Sequence, residues 1–165
     1  MALGGVLAAG VLGCTPQVNG EAGISVDEAG RLLLVFAWCG RGPSSAVVYH
    51  DRQSGSAPDE IRDARYEGPE MKGRSGTIRL DAPSGGWTAT IGPPKLTPAI
   101  TYTAVGGNGD ASTATGSISF EAGDAAKLKP GKVLVQRYDQ KQQVVAEVIP
   151  MEQFQRSARW PATCT

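Results

Sequence analysis

Apolar and polar residues alternate in short runs along most of this chain, and turn residues separate the runs. That pattern predicts strands rather than long helices. Gly23–Glu28 alternates and is expected to be a strand. Arg31–Trp38 is the most apolar run and is expected to be a central strand, joined to the first by a turn at 28–31. Ala46–His50 follows as a third. Residues 59–74 do not alternate cleanly; they carry five acidic and four basic side chains. A surface loop or an edge strand around 61–66 is expected there. Further strands are expected at 76–81, 86–91, 99–105 and 115–120, with a hairpin loop at Gly106–Asp110, where Gly and Asn tolerate positive φ.

The C-terminal part has a different rhythm. Lys132–Tyr138 and Gln143–Ile149 form the two arms of an expected β-hairpin turning at 139–142. After Pro150, Met151, Phe154 and Ala158 fall at i, i+3 and i+7, which predicts a short amphipathic helix ended by Pro161.

The start of the chain is different again. Residues 2–13 are all Ala, Leu, Val or Gly, and Cys14 follows. A run of this length suits a signal-peptide core and is too short to span a bilayer, which takes ~20 residues. Val11-Leu12-Gly13-Cys14 resembles the lipobox of bacterial lipoproteins. The resemblance implies cleavage before Cys14, a diacylglyceryl group on its thiol, and a polar tether over 14–21. Signal peptides begin with positive charge, and the first basic residue here is Arg31; the expectation is that either the true start lies upstream of Met1 or the N-terminus was clipped. The implied address is extracytoplasmic, on the outer face of the cytoplasmic membrane. Two acyl chains anchor stably where one would be marginal.

With Cys14 assigned to lipid, Cys39 and Cys164 remain, and an even remainder in an exported protein points to a disulfide between them. No CxxC or Cys/His spacing for a metal is present, and neither a metal nor another cofactor is expected.

A second resemblance covers residues 22–121. Leu32, Leu34, Phe36 and Trp38 alternate inward, and Leu96, Pro98 and Tyr102 follow the spacing at which fibronectin type III and related immunoglobulin-like domains carry a tyrosine corner. The resemblance implies an all-β sandwich, with Trp38 in its core and the Tyr102 hydroxyl bonded to backbone upstream. The expected organisation is therefore a signal peptide over 1–13, a lipidated tether over 14–21, a sandwich over 22–121, and a hairpin and helix over 122–165 packed on it.

Composition narrows function only a little. Formal net charge is zero, which gives no reason to expect nucleic acid as a partner. The sign is unevenly spread: residues 14–126 carry nine basic and thirteen acidic side chains, residues 127–165 seven and three. The single histidine, His50, adjoins Asp51, but neighbours on a strand point to opposite faces, so this pair is not expected to act as a base. The carboxylates of 59–74 are interleaved with arginines, as in a solvated ion-pair face. Trp87 and Tyr66 are the aromatics chosen as binding residues. The expected function is a non-enzymatic, membrane-anchored lipoprotein that binds or scaffolds an envelope protein or wall glycan. A wall-acting enzyme or accessory using the 59–74 segment, and a structural spacer, are the alternatives.

Overall fold

The computed structural model describes residues 15–52 and 59–157; the expected signal peptide, Cys14, Trp160, Pro161 and Cys164 lie outside them. The chain is all-β, built as two sheets with two short helices. Its elements are β1 (Gln17–Val18), β2 (Gly20–Val26), β3 (Leu32–Trp38), β4 (Ser45–Arg52), β5 (Asp59–Glu67), β6 (Ser75–Arg79), β7 (Thr88–Ile91), β8 (Thr101–Gly107), β9 (Thr113–Ala114), β10 (Ile118–Glu121), α1 (Ala122–Ala125), β11 (Lys132–Tyr138), β12 (Val144–Pro150) and α2 (Met151–Ser157). One sheet runs β1-β9-β8-β4-β5-β7, with β10 also paired to β8; the other runs β12-β11-β2-β3-β6.

The core lies between the sheets. Ile24, Leu34, Phe36, Trp38 and Ile78 from one sheet meet Val48, Tyr66, Tyr102, Ile118 and Phe120 from the other in a single buried cluster. β3 explains why its run is apolar without interruption: it is buried on both faces. Leu34, Phe36 and Trp38 face the core. Val35 and Ala37 face the opposite way, into a second cluster with Val133, Val135, Ile149 and Phe154. α2 lays Phe154 over that outer face, so one strand serves two layers.

Between β2 and β3 the chain reverses through Asp27. Its carboxylate accepts the N–H groups of Ala29 and Arg31, each at 2.9 Å, and Gly30 takes φ +74°. This is local Asx-turn chemistry with a glycine where the left-handed region is needed.

Two expectations change. Residues 59–67 of the 59–74 segment form an interior strand rather than a loop or an edge, while 68–74 run as an irregular connection to β6. That strand is β5, paired to β4 on one side and β7 on the other. Ala64 and Tyr66 supply its inward face, and a bulge interrupts its register with β4. With two inward residues and a register break, the alternation was too short to show as a period. The C-terminal hairpin, β11–β12, does more than pack against the sandwich. β11 pairs with β2, Leu134 opposite Ile24, and the Ser25 hydroxyl donates to the Lys132 carbonyl at 2.7 Å. The hairpin thus extends a sheet of the sandwich. It turns where expected: Asp139 accepts the N–H groups of Lys141 and Gln143 at 2.8 and 2.9 Å.

Candidate functional site

Extending one sheet by two strands leaves a face without a partner. Across the hairpin, Leu134 stands opposite Val148, Gln136 opposite Ala146, and Tyr138 opposite Val144. Leu134 is beside Ile24, so these six residues continue the inward face of the sheet. The other sheet reaches only as far as β10, where the Ser119 N–H donates to the Gln136 side-chain oxygen at 3.0 Å. Beyond that contact the inward face is open. Tyr138 is 72%, Val144 54% and Val148 53% exposed, in positions where a wider opposing sheet would have covered them.

The open face borders two hollows. Near the base of the hairpin, a cavity of about 450 Å3 is lined by Leu128, Leu134 and Val148 and rimmed by Lys127, Lys129 and Lys132. Lys127 is paired with Asp124 at 2.6 Å, which raises its pKa. Near the tip, a cavity of about 620 Å3 includes Val18, Tyr49, Gln136, Tyr138 and Val144. Val18 is 49% exposed at its mouth.

β12 also ends its sheet. It is seven residues long, with Val144, Val145 and Val148 exposed. Edge strands are usually blunted by brevity, proline, lysine or a bulge. β7, an edge of the other sheet, has four residues and runs into Gly92-Pro93-Pro94. β12 carries a single charge, Glu147, and Pro150 at its last position. It is the long apolar edge of the described structure.

The two aromatics expected to present a binding surface are buried. Tyr66 points inward from β5, and its hydroxyl donates to the Leu80 carbonyl at 2.8 Å. Burial pushes the phenol pKa well above its usual value. Trp87, placed just before β7, lies against Gly68; a Cβ there would sit 2.6 Å from the indole ring. The absence of a side chain at Gly68 admits the ring, and Trp87 joins the core. Both positions are corrected from binding to packing. Among the described residues, Tyr138 at the end of β11 is the large exposed aromatic.

The histidine finds a carboxylate other than its neighbour. His50 Nδ1 lies 2.6 Å from Asp63 Oδ2, across the pair of strands. The ring also meets Tyr102 edge-on, with centroids 5.6 Å apart. The β5 bulge brings Asp63 there, and no sequence spacing signals it. Three further carboxylates of the 59–74 segment are engaged with arginines: Glu67 with Arg65 at 2.8 Å, Glu70 with Arg41 at 3.1 Å, and Glu60 with Arg62 at 4.0 Å. Arg41 also bridges to Asp110 at 2.8 Å. The Ser112 hydroxyl and this guanidinium hold the Asp110 carboxyl well below its ordinary pKa. Among the described residues, no group of three or more His, Cys, Asp or Glu could hold a metal ion. No helix among them is long and apolar enough to cross a membrane.

No protein-family model matches this chain, and no curated protein or solved structure matches it either.

Proposed function

We propose that the chain is a lipid-anchored module of the bacterial cell envelope that binds a partner protein through the open edge and face of its C-terminal hairpin. The observation that carries this is the long, largely apolar edge of β12, interrupted only by Glu147 and the terminal Pro150, beside an uncovered sheet face. Such an edge is a template for strand addition, with backbone groups supplying affinity and side-chain pockets specificity. Anchoring rests on the lipobox-like 11–14 segment, with lipid on Cys14 and the module on the outer face of the cytoplasmic membrane.

A protein partner fits better than a wall glycan. Trp87 and Tyr66, which would have offered flat aromatic platforms to sugars, are turned into the core. A non-enzymatic role fits the 59–74 segment, where Glu60, Glu67 and Glu70 serve ion pairs with arginine and Asp63 is held by His50. We also infer a fibronectin III or immunoglobulin-like relationship. Its support is the tyrosine corner: the Thr97 N–H donates to the Tyr102 hydroxyl at 2.8 Å, and Tyr102 is buried.

The anchoring test expresses the chain with its native upstream region and compares Cys14→Ala. The expected result is loss of the wild-type protein's membrane fraction and of its lipid mass. A mutant that still partitions with membranes, with unchanged mass, sinks the reading. For the edge, Val145→Lys with Val148→Lys is expected to abolish recovery of envelope partners while leaving the unfolding midpoint unchanged, since both side chains are exposed.

A further inference from the structure

Pairing with β11 uses one side of the β12 backbone and leaves the other bare. At the tip of the hairpin the Asp139 N–H donates to the Gln143 carbonyl, and at its base the Met151 N–H donates to the Gly131 carbonyl, each at 2.9 Å. Opposite residues of an antiparallel pair alternate between bonded and unbonded, so Val145, Glu147 and Ile149 bond to β11. Val144, Ala146 and Val148 turn their N–H and carbonyl groups to the free edge. All three are exposed, and their side chains lie on the open face.

This edge is complementary to itself. Two copies of β12 set antiparallel about a two-fold axis at Ala146 place Val144 opposite Val148 of the second copy, and Ala146 opposite Ala146. Every outward N–H and carbonyl of these residues then has a partner. The open faces continue into each other. Tyr138 opposes Val144 and Leu134 opposes Val148 within one copy, so Tyr138, Val144, and then Val148 and Leu134 of the second copy form one apolar row. Glu147 falls opposite Val145 and keeps its own Arg137 at 3.8 Å. Registers one residue to either side fail. An axis at Glu147 sets two carboxylates directly opposite each other, and brings Val144 to Pro150, which has no N–H. An axis at Val145 brings Val148 to Gln142, whose φ of +61° belongs to the turn.

Charge favours the same occupant. Between 136 and 148 the hairpin carries Arg137 and Lys141 against Asp139 and Glu147. Both signs are in balance, as suits a surface that meets its own copy. The Ala146 register also carries the turn with Lys141 to the far end of β12 in the second copy, where α2 opens with exposed Glu152.

We propose that the partner at this edge is a second copy of the chain, joined antiparallel through β12 about a two-fold axis at Ala146. The inference rests on the edge-binding function proposed above and names its partner. Two five-stranded sheets become one continuous sheet across the axis.

The test uses the full chain carrying Cys14→Ser, so that lipid plays no part in association. Sedimentation is expected to show a dimer forming as concentration rises. Ala146→Lys sets like charges opposite each other at the axis, and so does Ala146→Glu; each is expected to weaken association about tenfold or more. Mixing the two variants is expected to restore it, which a different partner protein would not explain. As a check without charge, Ala146→Cys is expected to cross-link across the axis, where opposite Cα atoms are about 5.5 Å apart, and Glu147→Cys far less. A parent chain that stays monomeric overturns the proposal. So does a mixture that associates no better than its components while their unfolding midpoints match the parent's, and so does a cross-link that favours Glu147→Cys. A monomeric chain that still recovers another envelope protein, and loses it with Val145→Lys and Val148→Lys, strikes only the second copy and leaves the edge-binding function standing.

Discussion

Tyr102 ties the crossing into β8 to the core with one hydroxyl. Its ring packs at a tilt against Phe120, centroids 6.0 Å apart, and edge-on to His50. Its oxygen accepts the Thr97 N–H at 2.8 Å. Tyr102→Phe keeps the ring and removes the acceptor, leaving a partly buried donor unmet. The expected loss is about 1–3 kcal/mol in equilibrium denaturation; an unchanged midpoint would show that water replaces the hydroxyl. This residue was legible in the sequence because a corner is a local device, with Leu96, Pro98 and Tyr102 close together. Asp63 was not. Its contact with His50 depends on a bulge that shifts one strand against another, and nothing in either segment's pattern reports that shift. Trp87 failed for a related reason: its burial is decided by Gly68, nineteen residues away in sequence.

Among elements, the C-terminal hairpin matters most to function. Its arms and its turn could be read from the chain, since β-branched residues flank a short polar stretch. Its place in the sheet could not, because β11 joins β2 through backbone pairing that any extended strand can make. The open face follows only from that placement and from the narrower opposing sheet. The turn is held largely by Asp139. Asp139→Ala removes an acceptor for two N–H groups and is expected to destabilise the hairpin locally by about 1 kcal/mol, or roughly fivefold faster exchange in β12. Exchange in β3, deep between two layers, is expected to stay unchanged. If β3 exchanges faster by the same factor, the hairpin is not an independent unit and unfolds with the sandwich.

For the whole molecule, the disulfide expected between Cys39 and Cys164 would tie the C-terminal tail onto the body of the sandwich. The route is short. α2 lies on β3, and the Ser157 hydroxyl donates to the Glu21 carboxylate at 3.0 Å. Glu21 is opposite Ala37, two residues before Cys39. The last described turn of α2 therefore lies near the end of β3. Closing a loop of about 125 residues is expected to contribute roughly 5 kcal/mol in the chain-entropy model, with 2–5 kcal/mol the usual cost of removal. Cys39→Ala and Cys164→Ala are expected to lower stability equally, and the double variant no further. A silent Cys164→Ala would break the assignment.

Pairing β2 with β11 also sets a schedule. β2 is among the first strands to be synthesised, yet the strand that covers its edge comes more than a hundred residues later. At roughly 5–20 residues per second, that edge waits about 5–20 s for its neighbour. During that interval β2 and β3 present the same kind of bare strand edge that β12 keeps permanently. A chain stalled or truncated before residue 132 is therefore expected to be sticky at β2, and a holding chaperone would have one obvious strand to grip.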